Sequence, residues 1–298
     1  MATVEVSKPA RATLAGQASV ARRISSAIVY VLAIGLAVLF SLPFFWTLAS
    51  SLKTQSELYT YPPTFLPAEL HPENYVSVFT LAPFGRFILN TVFVTAVAMV
   101  GQIFSASAVA FGFTRFRFPG RDALFFVVLM TLMLPWQVTV VPTFLLFRSL
   151  GWINTFLPLI VPSFFGGGAF YIFLLRQFFM TIPRDLDEAA KIDGASSFRV
   201  FWNIMLPLSK PALATVAIFA FIEHWNEFFG PLIYLNSTPM YTISIGLRYF
   251  QSTALTGDVP QDAVLMAASL IVAAPPLLLF FLAQRFFVEG IVTTGLKG

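Results

Sequence analysis

Residues Ile28–Ser50 read IVYVLAIGLAVLFSLPFFWTLAS, twenty-three consecutive positions without Asp, Glu, Lys or Arg. As a helix rising 1.5 Å per residue, this stretch is about 35 Å long. That is enough to cross a hydrocarbon core of about 30 Å. Five further stretches share this character: Phe87–Phe111, Ala123–Phe147, Phe156–Phe179, Pro211–Leu235 and Ala263–Phe287. Transmembrane β-strands would be about ten residues long with alternating polarity, and none of the six alternates. The sequence therefore predicts an all-α integral membrane protein, with six transmembrane helices over 28–287 between short tails at 1–27 and 288–298.

Composition agrees. Of 298 residues, 57% are hydrophobic and 11% charged, against about 25% charged in a soluble domain. The absence of cysteine excludes disulfide frameworks, cysteine-based zinc sites and thiol catalysis. With only two histidines, His71 and His224, no histidine-rich metal site is expected. No Gly-Lys pair occurs, so the chain lacks the phosphate-cradling P-loop G-x-x-x-x-G-K-[ST]. No catalytic residue, metal ligand or cofactor site is expected, and the energy for any pumping must come from a partner chain or an ion gradient.

Basic residues collect on the cytoplasmic side of short loops. With the N-terminus inside, fourteen of the eighteen Lys and Arg fall on inside segments, leaving Lys53, Arg86, Arg148 and Arg248 outside. This bias predicts cytoplasmic termini. It also explains the net charge of +4 without nucleic-acid binding. Residues 1–27 are small, polar and basic, and the apolar segment after them has no A-x-A-like cleavage site, so they read as a retained, flexible tail rather than a targeting peptide. Residues 51–86 form an external loop rich in proline, too short for an independent domain.

The most informative segment is the cytoplasmic loop Met180–Lys210. Pro183 suits the first turn of a helix. Asp185, Asp187 and Glu188 sit where the helix dipole favours anions, and Gly194 suits a left-handed cap. Ser196 or Ser197 then caps a second short helix through Phe198–Ile204, stopped by Pro207 and Pro211. Pattern alone is equally that of an amphipathic loop stabilising the bundle.

The literal residues say more. Glu188-Ala189-Ala190, with Gly194 four residues after Ala190, Ile204 ten after Gly194, then Leu206-Pro207, resembles the EAA motif of binding-protein-dependent ABC importer permeases. Asp193-Gly194-Ala195 is most similar to the carbohydrate-transporting branch. Trp225-Asn226-Glu227-Phe228 and the tail Gly290…Gly298 agree, and the whole resembles the short second permease of maltose-type sugar importers. The resemblance covers the six-span order and most of 151–298.

It implies a multi-pass subunit of a prokaryotic inner or plasma membrane, surrounded by lipid. Its partners would be a second permease in a heterodimer, two ATPase subunits that bind the ATP and Mg²⁺, and an extracytoplasmic solute-binding protein. It further implies that Glu188, Ala189, Ala190, Asp193, Gly194, Ala195, Leu206 and Pro207 form the contact with an ATPase. The residue chemistry fits, since small side chains permit close approach and Glu188 offers a carboxylate to an arginine or a backbone N–H.

The centres of the spans hold three acidic or histidine side chains: Glu223, His224 and Glu227, all in span five. Charge in a bilayer is costly and generally faces a cavity or a partner. Spacings of three and four place these side chains on one face of a continuous helix, and with Asn226 they are candidates for lining the translocation pathway. A hydrogen-bonded structural network accounts for them equally well. Most of the 35 Phe and five Trp read as lipid-facing, core or interfacial aromatics. Pro135, Pro142, Pro158, Pro162 and Gly166-Gly167-Gly168 interrupt spans three and four and are candidate hinges. The external loop 236–262 is either a docking site for a binding protein or a plain connector.

The leading reading is a permease that imports a sugar or oligosaccharide. Permeases for glycerol phosphate or a polyamine are the nearer alternatives. An ion-coupled secondary transporter would show repeated halves and charges in several broken spans, whereas here the charge is confined to one span. A membrane enzyme would need a nucleophile–base pair or a metal cluster.

Overall fold

A computed structural model describes the backbone of residues 10–251 and 261–295, with side chains over 26–251 and 261–284. Among the described residues there are helices and connecting turns but no strand. The predicted tail at 288–298, with its glycine-rich end, lies outside the described side chains, as does Arg285.

Span one is the apolar part, Ser26–Ser51, of a helix that begins at Ala10. The stretch read as a flexible tail is therefore helical from Ala10 onward. Pro9 precedes the helix, no proline follows until Pro43, and the residues between include the good helix formers Ala, Arg, Leu and Gln. Span two, Phe84–Arg115, has 32 residues, a rod of about 48 Å. It packs against spans four and five, while span one packs against span six.

Three predicted spans are not simple rods. Span three consists of Arg121–Met133 and Trp136–Ser149, meeting at 98°. Pro135 lacks the N–H for an i−4 bond and forces the preceding residue out of the helical region. Leu134 is accordingly extended, with ψ 112°. Span four comprises a short helix Leu157–Ile160, a 3₁₀ turn Val161–Phe164 and the helix Ala169–Thr181. Gly166, Gly167 and Gly168 join the last two, all with positive φ (98°, 62° and 83°).

Span five was expected as one helix over Pro211–Leu235, but it is divided into Lys210–Trp225 and Phe229–Tyr234. The break has a local cause: the Pro231 ring would collide with the carbonyl four residues earlier, that of Glu227. Span six runs unbroken from Asp262 through the last described side chain, Gln284, with Pro275 and Pro276 inside it.

Helices in lipid gain little from hydrophobic transfer and associate through close packing of small residues. Span two supplies these at Ala98, Gly101, Ser105, Ala106 and Ala110, all buried. A Cβ on Gly101 would lie 2.4 Å from the Phe164 ring, and one on Gly167 would lie 2.5 Å from the Gln102 carbonyl oxygen. The crossing of spans two and four is thus set by backbone contact that only glycine permits.

Two buried clusters result. One, at the end bearing the EAA loop, includes Phe111, Leu175, Phe179, Phe201, Met205 and Val216. The other, at the opposite end, includes Phe84, Phe87, Trp225, Ile243, Phe250 and Val264.

At that opposite end the connections are tied down. Asn74 Nδ2 donates to the carbonyls of Ser51 and Lys53, each at 2.9 Å. Tyr59 donates its hydroxyl to Asp262 at the start of span six. Asn90 Nδ2 donates to the Pro239 and Tyr241 carbonyls at 2.9 and 2.8 Å. The described part of the 236–262 loop contains the helix Ile243–Gln251, whose Ile243, Ile245, Gly246 and Phe250 are buried.

Candidate functional site

The EAA loop builds a helix–turn–helix. Its first helix spans Asp185–Ile192, with Asp185, Asp187 and Glu188 in the first turn. Pro183 lies just outside the helix, and the Arg184 carbonyl accepts from the Asp187 and Glu188 amides at 2.9 and 3.1 Å. The end is a Schellman motif. Ala195 N–H donates to the Ala190 carbonyl at 2.8 Å and Gly194 N–H to the Lys191 carbonyl at 3.0 Å, with Gly194 at φ 81°.

Ser196 Oγ then accepts from Arg199 N–H at 3.3 Å, capping the next helical segment. That segment runs past Ile204 to Leu208, correcting the expected stop at Pro207. A π-helical turn, Phe201–Met205, precedes Pro207, and this wider register does not call on the missing Pro207 N–H. Pro211 opens the following helix, which departs at 79°.

The loop is anchored from beneath. Arg115, the last residue of span two, pairs through Nε with Asp187 Oδ2 at 2.8 Å, and both side chains are nearly buried. Arg115 Nη2 also donates to the Ile182 carbonyl at 3.0 Å, and Arg184 Nη2 donates to the Thr114 carbonyl at 3.1 Å. Ala190, Ala195 and Leu206 pack against the core at this end. On the outer surface Glu188, Ala189, Asp193 and Pro207 are exposed, as is Ile192, with 87% of its surface free. Sequence reading listed Asp187 only as a first-turn anion and missed Arg115 as its partner, because the two are 72 positions apart.

A second locus lies toward the other end of the bundle. A cavity of about 370 Å³ opens between the second half of span three, the start of span four and the broken end of span five. Glu223, His224 and Glu227 all line it. Glu223 and His224 do so from the helix before the break, and Glu227 from within the break at residues 226–228. Glu223 Oε2 accepts the Tyr171 hydroxyl at 2.5 Å. His224 Nε2 donates to Gln102 Oε1 at 2.5 Å. Glu227 Oε1 accepts Gly230 N–H at 2.8 Å.

Asn226 is not brought to the cavity: its side chain is exposed and donates back to the Ile222 carbonyl at 2.8 Å. The sequence reading left open pathway lining or a structural network; here the side chains face a cavity and are also hydrogen-bonded within the chain. Gln102, Tyr171 and Trp136 escaped notice because the search was for acidic and histidine side chains. A lone amide inside an apolar span was the available signal for Gln102.

The Arg176 guanidinium lies 4.1 Å from the centroid of the Phe125 ring, a cation–π placement.

Comparisons with known proteins bear on this architecture. The family model described as "Binding-protein-dependent transport system inner membrane component" matches residues 102–292. The probable ABC transporter permease protein YurM of Bacillus subtilis is 35% identical over 256 residues, covering 86% of this chain and 83% of that protein. The arabinooligosaccharides transport system permease protein AraQ of Halalkalibacterium halodurans is 33% identical, covering 78% and 82%. The sn-glycerol-3-phosphate transport system permease protein UgpE of Brucella abortus is 34% identical, covering 92% and 98%.

In fold, the chain is similar to a solved bacterial ABC transporter involved in the import of the acidic polysaccharide alginate. The TM-score is 0.77 over 96% of this chain and 100% of that one, at 23% identity. The matched family is a transport component of the membrane rather than an enzyme. With nearly two thirds of its length inside the family model and near full-length relatives above 30% identity, this chain belongs to the binding-protein-dependent transport system inner membrane components, as a multi-pass ABC permease of the inner membrane.

Proposed function

We propose that the chain is the short permease of a carbohydrate importer. It would form a heterodimer with a second permease, receive cargo from an extracytoplasmic binding protein and be driven by two ATPase subunits that bind ATP and Mg²⁺. The observation that carries this reading is the helix Asp185–Ile192. It is capped at Gly194, tied to span two through Asp187 and Arg115, and exposes Glu188, Ala189 and Ile192 on its far side. That is the form of a lever: a small protruding surface for a motor, rigidly joined to a 32-residue helix.

In this reading Glu188 and Asp193 meet polar groups of an ATPase cleft, while Ala189 and the Gly194–Ala195 turn allow close approach. Ala190, Leu206 and Pro207 shape the underside and exit of the loop. The basic bias of this end supports a cytoplasmic location for it and for both termini.

The carbohydrate assignment rests on the arabinooligosaccharide relative, and the glycerol-phosphate relatives supply the second reading. Purification of the chain from its native membranes tests the assembly: it should bring down a second permease and an ATPase. Isolation without any ATPase would refute the importer reading, and uptake assays with a saccharide panel and sn-glycerol 3-phosphate would separate the two cargoes.

A further inference from the structure

The cavity at the break of span five has a mixed lining. Two carboxylates, Glu223 and Glu227, and one imidazole, His224, face it, and no Lys or Arg is among its described lining residues. Each carboxylate has one oxygen engaged within the chain, by the Tyr171 hydroxyl and by Gly230 N–H respectively. No hydrogen bond is recorded for the second oxygen of either group among the described residues. The nearby Arg248 sits over the Phe228 ring at 5.9 Å and does not line the cavity. Three aromatic rings share the rest of the wall with threonine, proline and aliphatic side chains: Trp136 and Phe229 lie 5.0 Å apart between centroids, and Tyr234 also lines the cavity.

This is saccharide chemistry. Carboxylate oxygens accept hydrogen bonds from hydroxyls, aromatic faces cover the apolar C–H faces of a sugar ring, and about 370 Å³ falls in the usual range for small-molecule sites. Glu223 is exposed to the cavity and Glu227 half-buried, and two like charges on one wall repel an anion that enters it.

We infer that this cavity is a cargo-contacting subsite for uncharged saccharides, and that Glu223 and Glu227 make it reject anionic cargo such as phosphate esters. The inference rests on the importer reading and narrows it, since that reading alone leaves glycerol phosphate as an alternative. The carboxylates supply the selectivity, and the ring wall formed by Trp136 and Phe229 supplies contact area.

The native chain has no cysteine, so a single introduced thiol reports on the cavity directly. Thr139→Cys and, independently, Ile233→Cys place a thiol on its lining in the full-length chain within the assembled complex. Modification rates are measured with a trimethylammonium methanethiosulfonate and a sulfonate methanethiosulfonate, each normalised to its reaction with a free thiol. The cationic reagent should react at least tenfold faster at both positions, and adding Glu223→Gln with Glu227→Gln should bring the ratio close to one. Equal rates, or faster anionic labelling, at both cysteines would overturn the inference.

Maltotriose and arabinotriose serve as neutral probes. Either should slow labelling of Thr139→Cys, and sn-glycerol 3-phosphate should not. Slowing by neither neutral probe, or by the phosphate ester, would equally overturn it. These rates do not depend on ATP, so failure of the importer reading shows separately, as absence of an ATPase from the purified complex.

Discussion

Arg115 and Asp187 form an ion pair of 2.8 Å with both side chains nearly buried, joining the C-terminal end of span two to the first turn of the EAA-loop helix. Burying such a pair contributes little net stability, but removing one partner strands the other charge at a cost of about 3–5 kcal/mol. Here it fixes position: the loop helix cannot tilt without moving Arg115, and Arg115 ends the helix that carries Gln102 to His224.

The first prediction follows from that pairing. Arg115→Ala and Asp187→Ala should each lower the thermal unfolding temperature of the purified complex and weaken ATPase attachment. The double variant should lose less than the sum, with an interaction energy above about 1 kcal/mol in a double-mutant cycle. Strict additivity would show that the pair does not hold the loop.

Gly194 tests geometry apart from space. It has φ 81°, and a Cβ there would meet no atom within 4 Å in this chain. Gly194→Ala should therefore cost only the left-handed penalty, about 1–2 kcal/mol, and Gly194→Asn less. Gly194→Trp should insert in the membrane normally yet abolish ATP hydrolysis linked to transport, because the bulk would lie on the surface proposed above to meet an ATPase. Normal transport by Gly194→Trp would refute the coupling role.

Two adjacent glycines should separate strain from collision. Gly166 (φ 98°) has open space where a Cβ would go, whereas Gly167 (φ 62°) has the Gln102 carbonyl oxygen at 2.5 Å and the Ala106 nitrogen at 2.7 Å. Both alanine variants carry backbone strain, but only Gly167→Ala must also push span four off span two. Thermal melts of the detergent-solubilised complex should place Gly167→Ala well below Gly166→Ala, by an extra 1–3 kcal/mol or so of overpacking. Equal melts would mean that the crossing has room to relax.

The Gln102–His224 bond predicts a polar-group penalty. Gln102→Leu leaves the imidazole Nε2 without its acceptor in a half-buried site, at about 1–3 kcal/mol. Gln102→Asn, with the same chemistry on a shorter arm, should fall between Leu and wild type. The melting temperature orders the three, and a Leu variant as stable as wild type would show that His224 finds another acceptor.

Particular residues show how far the one-dimensional pattern reaches. Gly194 as a left-handed cap and Ser196 as one of two candidate caps for the second helix were legible, because both are short-range devices closed within six residues. The division of span five at residues 226–228 was legible in principle, since Pro231 forbids the bond to the carbonyl of Glu227. Apolar continuity over Pro211–Leu235 masked it. Counting acidic and histidine side chains found Glu223, His224 and Glu227 but passed over Tyr171 and Gln102, the partners of Glu223 and His224.

The sequence by itself determined that the chain lives in a membrane, how many apolar segments it has and which loop carries the family's motif. Those properties follow from transfer free energies and local backbone rules that act over about 20 residues or fewer. Only the tertiary structure decided that Arg115 meets Asp187, that Gln102 meets His224, and that Glu223 and Glu227 line one cavity. Such pairings join residues 72 and 122 positions apart. They are set by how closely small side chains let span two approach spans four and five, a property of packed surfaces that no single segment contains.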